Sequence, residues 1–446
     1  MRDHHGRTTQ LQHLPQKPIQ ALQEEKRSFL PGRNPDTPAQ NSIATPDFNI
    51  TMASQTPPPA TDPNPPREFP DPAEYLDDPR FNRKFTLPPT PDLPENFQVT
   101  YADFGHNDPS DPSSTHVLLL CGPLLGSRYL HIAKDALAKR HKVRIIDIDR
   151  PGFGGTTPVP PNLRIRAWLA IVPALLAHLG VRHVVLAAHS GGTLYALNTL
   201  LHHRHLLSPS RPYVALCAPW VHPSHSGAAI MSLTSTLPQG LVGSFDKVAG
   251  FMVRSLVPAT VGFSNAVSGM LSGIVPSLAG TPAEEYTAPG VSDVRLAEFE
   301  EKIWGTLIKR VYAESVQGLG QDAVLLLKRD GNEMFWGEWE DYDKLVPLLA
   351  QQERELGEGG GLEVEVFFAA SDAMIGTDDG PKWFEQCWRE EQRGERIKFS
   401  SSVVPKADHD SIVSLRFGVF ERIIRSVGGA EEGTASPDVS AEQTAV

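Results

Sequence analysis

The spacing of apolar residues changes several times along this 446-residue chain. Residues 1–72 have no regular apolar period. Alternation begins at Arg83–Leu87 and Phe97–Phe104, which predicts a first hairpin. Thr115–Cys121 (T-H-V-L-L-L-C) is a continuous apolar run of strand length, as expected for a strand covered on both faces. A glycine loop, Gly122–Ser127, leads into a helical pattern through Tyr129, Leu130, Ala133 and Leu137, and Val143–Asp147 is the next strand. Ile165–Leu179 has the clearest helical period, carried by Ile165, Trp168, Leu169, Val172, Leu175, Leu176 and Leu179, with Gly180 at its end. His183–Gly192 (H-V-V-L-A-A-H-S-G-G) is a buried strand ending in a sharp corner, and Thr193–Leu197 opens a helix. Tyr213–Ala218 is a further strand. Buried strands alternating with helices predict an α/β domain with a mostly parallel central sheet and helices on both faces.

The rhythm stops after Trp220. Residues 222–349 have helical patches and no strand period, so they read as an insertion of the lid or cap kind. Within it, Ser255–Ala283 lacks any charged residue. Pro258 and Pro276 interrupt that stretch, and its Ser, Gly and Asn content suits a lid better than a membrane span. The sheet pattern returns at Leu362–Ala369 and Ile397–Val404, with a helix through Trp383 between them and a last helix from about Asp410 to Arg425. The expected organisation is a disordered Pro-rich segment (1–72), a first core part (73–221), a helical cap (222–349), a second core part (350–426) and an acidic tail (427–446).

Composition sharpens the ends of this map. Nineteen of the 40 prolines fall in residues 1–95, and so polar a stretch buries too little surface to offset the entropy of ordering. Met52, opening M-A-S-Q-T-P-P-P, offers a second start for the chain. A formal net charge of −12 with no basic block argues against a nucleic-acid partner or an anionic membrane. Cys121, Cys217 and Cys387 lie far apart and read as buried fillers. With no secretory signal near the start, the chain is expected to be intracellular, in the cytoplasm.

The chemistry centres on Ala188-His189-Ser190-Gly191-Gly192. A serine at a strand-to-helix corner stands clear of the sheet, with the first helix amides beside it. It becomes a nucleophile only when a base takes its proton and a carboxylate orients that base. At this point Thr115–Arg425 resembles the α/β-hydrolase fold, whose elbow is usually G-x-S-x-G and is A-x-S-x-G here. The resemblance implies a triad in the chain order nucleophile, acid, histidine. Asp372 follows the strand Leu362–Ala369 and fills the acid's place, ahead of Asp378 and Asp379. His409 precedes the last helix and fills the histidine's place. The family commonly has glycine before that histidine. Here Asp408 and Asp410 flank it, and their carboxylates favour the imidazolium.

The same resemblance assigns the two amide donors for an oxyanion. One is Gly191. The other comes from C-G-P-L-L-G-S-R, which is similar to the family's H-G-x-P-G-S-R with Gly122 in the histidine's place, and this alignment selects Leu124. A shift by one residue would select Pro123, which has no N–H. The loop Asp149–Thr156 (D-R-P-G-F-G-G-T) resembles the family's D-x-P-G-x-G-x-S, and Arg150, Gly152 and Gly154 read as scaffold.

The expected activity is hydrolysis of a carboxylic ester or related acyl bond of a small apolar substrate through an acyl-enzyme, with no metal or organic cofactor. Trp220, Met231, Leu233, Phe251, Met252, Phe263, Met270 and Leu271 offer an apolar pocket or, equally, the cap's own core. An acyltransferase, thioesterase, peptidase or carbon–carbon bond hydrolase would use the same triad. A non-catalytic binding protein of the same fold would be expected to lack a triad residue. Aspartate in place of Ser190 would be expected of an epoxide hydrolase or haloalkane dehalogenase. The one dense histidine group, His202-His203-x-His205, sits at a helix end and is a poor zinc site.

Overall fold

The strand-length apolar runs become one eight-stranded sheet in the computed structural model, which describes residues 69–428 apart from 92, 109, 111–115, 229–285, 329–335 and 358–360. In chain order the strands are β1 (Arg83–Thr86), β2 (Gln98–Gly105), β3 (His116–Cys121), β4 (Val143–Ile148), β5 (Phe153–Gly154), β6 (Val185–His189), β7 (Tyr213–Cys217), β8 (Ser315–Val316), β9 (Leu362–Ser371) and β10 (Ile397–Asp408). The sheet order is β1-β2-β4-β3-β6-β7-β9-β10. The first hairpin is antiparallel, with Arg83 opposite Tyr101, and β2 pairs antiparallel with β4. Every later pairing in the sheet is parallel. β5 and β8 make a separate two-stranded pair.

Alternate residues of each central strand enter different cores. Leu119, Cys121, Leu186, Ala188, Leu216 and Val366 pack on one face. Leu118, Leu120, Ala187, Ala215, Cys217 and Phe367 pack on the other. Both faces are dry, which explains why these strands read as unbroken apolar runs. The longer helices are α1 (Arg164–His178), α2 (Gly192–His202), α3 (Val294–Ala313), α4 (Gly318–Leu326), α5 (Tyr342–Glu355), α6 (Asp379–Cys387) and α7 (Val419–Gly428). α1, α2, α4, α5 and α6 supply the first core, and α3 and α7 the second. Among the described residues, no helix is long and apolar enough to cross a membrane. The chargeless stretch Ser255–Ala283 lies outside the described residues.

α1 contains Pro173, which cannot donate to the Leu169 carbonyl one turn back. His203 Nε2 fills that vacancy, donating to the Leu169 carbonyl at 2.9 Å. A member of the histidine group at the end of α2 thus has a structural partner.

The helix expected through Tyr129–Leu137 forms only from Asp135, after a 3-10 turn at Ile132–Lys134. Residues 129–134 are all buried, so they lack the polar face of an amphipathic helix. The last helix starts at Val419, not near Asp410. Asp408 Oδ1 accepts from the amides of Asp410 and Ser411 at 3.1 and 2.8 Å, and such local bonds compete with helix. Two 3-10 turns follow, and Gly418 at φ +71° closes them before α7 begins. β10 also runs past Val404 to Asp408, through Pro405 and a register irregularity. It is an edge strand, where proline is tolerated. The insertion is not wholly strandless, since β8 lies within it.

Candidate active site

β3 lies between β4 and β6, so the chain leaves it toward one edge and later resumes on its other side. Such a switch point opens a crevice at the carboxyl ends of the strands. Cys121 at the end of β3 pairs with Ala188 in β6, which brings the Gly122–Ser127 loop beside the Ser190 corner.

Ser190 sits at that corner with φ +51°, in the left-handed region. A serine there costs about 1–3 kcal/mol, so the surroundings must hold it. Its amide donates to the Cys217 carbonyl at 3.0 Å, and its carbonyl accepts from the amides of Thr193 at 3.0 Å and Trp220 at 3.2 Å. A Cβ at Gly192 would stand 2.0 Å from the Cys121 carbonyl oxygen, so the start of α2 packs against the end of β3 only because that residue is glycine. Ala188, where glycine is usual, fits in the core at 1% exposure.

The acid and the histidine meet through strand register. Asp408 at the end of β10 pairs with Ser371 at the end of β9, so the next residue of each strand, His409 and Asp372, emerges beside the other. His409 Nδ1 donates to Asp372 Oδ2 at 2.7 Å. Its Nε2 then lacks a proton in the neutral ring and accepts from the Ser190 hydroxyl at 2.7 Å. All three residues are buried.

The electrostatics follow from this geometry. Burial pushes the Asp372 pKa up, but the charge and hydrogen bond of His409, with the amides of Ile375 and Met374, hold it below the usual carboxylate range. Those amides donate to Asp372 Oδ1 at 2.9 and 2.8 Å. Burial pushes the His409 imidazole down, but Asp372, by charge and hydrogen bond, and then Asp410 and Asp408 raise it above its ordinary value. The flanking acids act in the direction expected from the sequence.

The expected oxyanion donors are neighbours. Leu124 N lies 3.6 Å from the point a Cβ on Gly191 would occupy, and Gly191 caps the start of α2. The Leu326 side chain, from α4 in the insertion, lies 3.0 Å from that same point. Trp220 is buried next to the corner, to which its amide is bonded, and its Nε1 donates to the Leu326 carbonyl at 3.2 Å. Met231, Leu233, Phe251, Met252, Phe263, Met270 and Leu271 lie outside the described residues.

Two participants were not visible in the sequence. His189 Nε2 donates to the His409 carbonyl at 2.7 Å. Burial, with His409 nearby, drives the His189 pKa down to about 3, so it stays neutral and acts as a fixed strut. Its place before the serine was the only signal for it. Leu326 gave none, because the helical patches of residues 222–349 do not indicate which of their residues meets the corner.

Residues 117–416 match a profile described as the Alpha/beta hydrolase family. Similar solved structures include a thermophilic esterase from Thermogutta terrifontis, at 17% identity and TM-score 0.44, covering 78% of this chain and 99% of that one. An esterase from Exiguobacterium antarcticum is similar at 15% identity and TM-score 0.43, covering 74% and 96%. An epoxide hydrolase from Vigna radiata is similar at 13% identity and TM-score 0.41, covering 77% and 96%. A search of curated proteins gave no match.

Proposed function

The chain belongs to the alpha/beta hydrolase family, and from that premise we propose that it is a serine hydrolase cleaving a carboxylic ester, or a related acyl bond, of a small apolar substrate. The observation that carries this reading is the unbroken relay from Ser190 through His409 to Asp372, with 2.7 Å at each step. That spacing is within reach for proton transfer. Neutral His409 takes the hydroxyl proton as Ser190 Oγ attacks the carbonyl carbon. Asp372 holds the ring in the tautomer that leaves Nε2 free and balances the imidazolium that results. The amides of Gly191 and Leu124 receive the oxyanion. The imidazolium then gives its proton to the leaving oxygen, and water, deprotonated by the same ring, releases the acyl group.

An apolar acyl or alkyl group suits what surrounds the serine. Leu326 packs against Gly191, and Trp220 is bonded through its amide to the Ser190 carbonyl. Since Leu326 comes from segment 222–349, that segment shapes the substrate side of the site. A p-nitrophenyl ester series from acetate to laurate tests the reading. We expect turnover by the wild type and a loss on the order of 10⁴-fold or more in Ser190→Ala. Equal turnover by the two proteins would remove Ser190 from the mechanism.

A further inference from the structure

Three successive backbone carbonyls of the loop after β3 turn toward one guanidinium. Arg150 Nη1 donates to the Gly122 carbonyl at 2.5 Å. Its Nη2 donates to the Pro123 carbonyl and, at 2.9 Å, to that of Leu124. Arg150 is itself fixed. Its Nε donates to Asp322 Oδ2 at 2.7 Å, and the other oxygen of that carboxylate accepts from Arg164 Nε and the Tyr195 hydroxyl, each at 2.5 Å. All four residues are at most 1% exposed. Burial pushes the Asp322 pKa up, but Arg150 and Arg164 outweigh it and keep the carboxylate ionised.

The consequence follows from peptide geometry. The Pro123 carbonyl and the Leu124 N–H belong to one peptide unit, and a trans peptide points these groups in opposite directions. Holding the carbonyl on Arg150 therefore aims the Leu124 N–H away from Arg150. That nitrogen lies 3.6 Å from the point a Cβ on Gly191 would occupy, so the loop brings it next to the other expected donor.

We propose that Arg150 is a positioning residue for the oxyanion site, and that Asp322 makes its geometry depend on α4 of the insertion. The inference rests on the serine hydrolase reading and adds to it how the second donor is held. Arg150 touches no reacting atom. Its contribution is the direction of one N–H.

The test uses the full chain, with Arg150→Met and Arg150→Lys beside the wild type and p-nitrophenyl butyrate as probe. Active sites are counted from the end point of fluorophosphonate labelling, so misfolded protein drops out of the rate. Arg150→Met is expected to lower kcat per labelled site about 100-fold with a much smaller change in KM. Arg150→Lys, which retains a cation able to reach part of the carbonyl row, is expected to recover about tenfold of that loss. A merely structural role would reduce the number of labelled sites and leave kcat per site unchanged, and that result overturns the inference. If Arg150→Met does not fold, Arg150→Lys decides by the same measure, with wild-type kcat per site counting against. Absence of labelling and turnover in the wild type would instead sink the hydrolase reading and the inference with it.

Discussion

Two buried polar clusters flank the Ser190 corner, and they are built on opposite electrostatic terms. Ser190, His409 and Asp372 form a line in which, under the proposed function, one ring must gain and lose a proton. Its pKa is lowered by burial and raised by Asp372, and the second influence prevails. Arg150, Arg164, Asp322 and Tyr195 form a hub in which no proton needs to move. Burial holds the Tyr195 hydroxyl protonated, and the two guanidiniums hold Asp322 ionised. In the proposed mechanism the line supplies proton transfer and the hub supplies fixed direction. On that proposal, the difference teaches that a buried charge network next to a catalytic line can serve geometry and leave proton transfer to its neighbour.

The sharpest way to break this division is Asp372→Asn. The amide can no longer stabilise the imidazolium or enforce its tautomer, so kcat is expected to fall about 10⁴-fold with little change in thermal midpoint. Steady-state kinetics beside differential scanning fluorimetry would check both halves. A retained rate would place the acid elsewhere, with Asp378 and Asp379 the next to examine.

Asp322→Leu should do the reverse and strike stability first. It leaves Arg150 and Arg164 buried without their shared counter-charge, which costs about 3–5 kcal/mol. Chemical denaturation would read that loss. A stability change near zero would mean that the hub is wetter or looser than its burial implies.

The smallest effect expected is on the pH profile. His409 must be neutral to accept the serine proton, so kcat/KM falls as pH drops through its pKa. That pKa is raised, which puts the acid limb above the ordinary histidine value of about 6.5. Asp372→Asn removes the main cause of the rise and should move the limb down, whereas Arg150→Lys should leave it in place. A limb that shifts with Arg150 would end the separation between the clusters.

The two clusters also differ in how far the sequence reveals them. The corner at Ser190 is local, since an apolar run, a small residue and a glycine pair announce it within ten residues. Asp372 and His409 are legible through the resemblance, whose triad order points to the loops after two late strands, and the pairing of Asp408 with Ser371 turns that placement into contact. The hub is not legible. Arg150 and Asp322 are 172 residues apart, and Asp322 lies in a segment whose pattern suggests a lid with no link to the sheet. Periodicity reports which face of an element is buried, not which charges will meet inside. The late start of the last helix was hidden for a related reason, because the Asp408 side chain takes amides that a helix would otherwise use.

The central claim is that Ser190 is a nucleophile activated by His409, and covalent labelling tests it most directly. A fluorophosphonate probe is incubated with the full-length wild type and with Ser190→Ala, and the modified peptide is located by mass spectrometry. The account predicts one adduct, on Ser190, formed by the wild type and absent from the variant. Folded wild type that stays unlabelled, or an adduct on another residue that persists in Ser190→Ala, would contradict it.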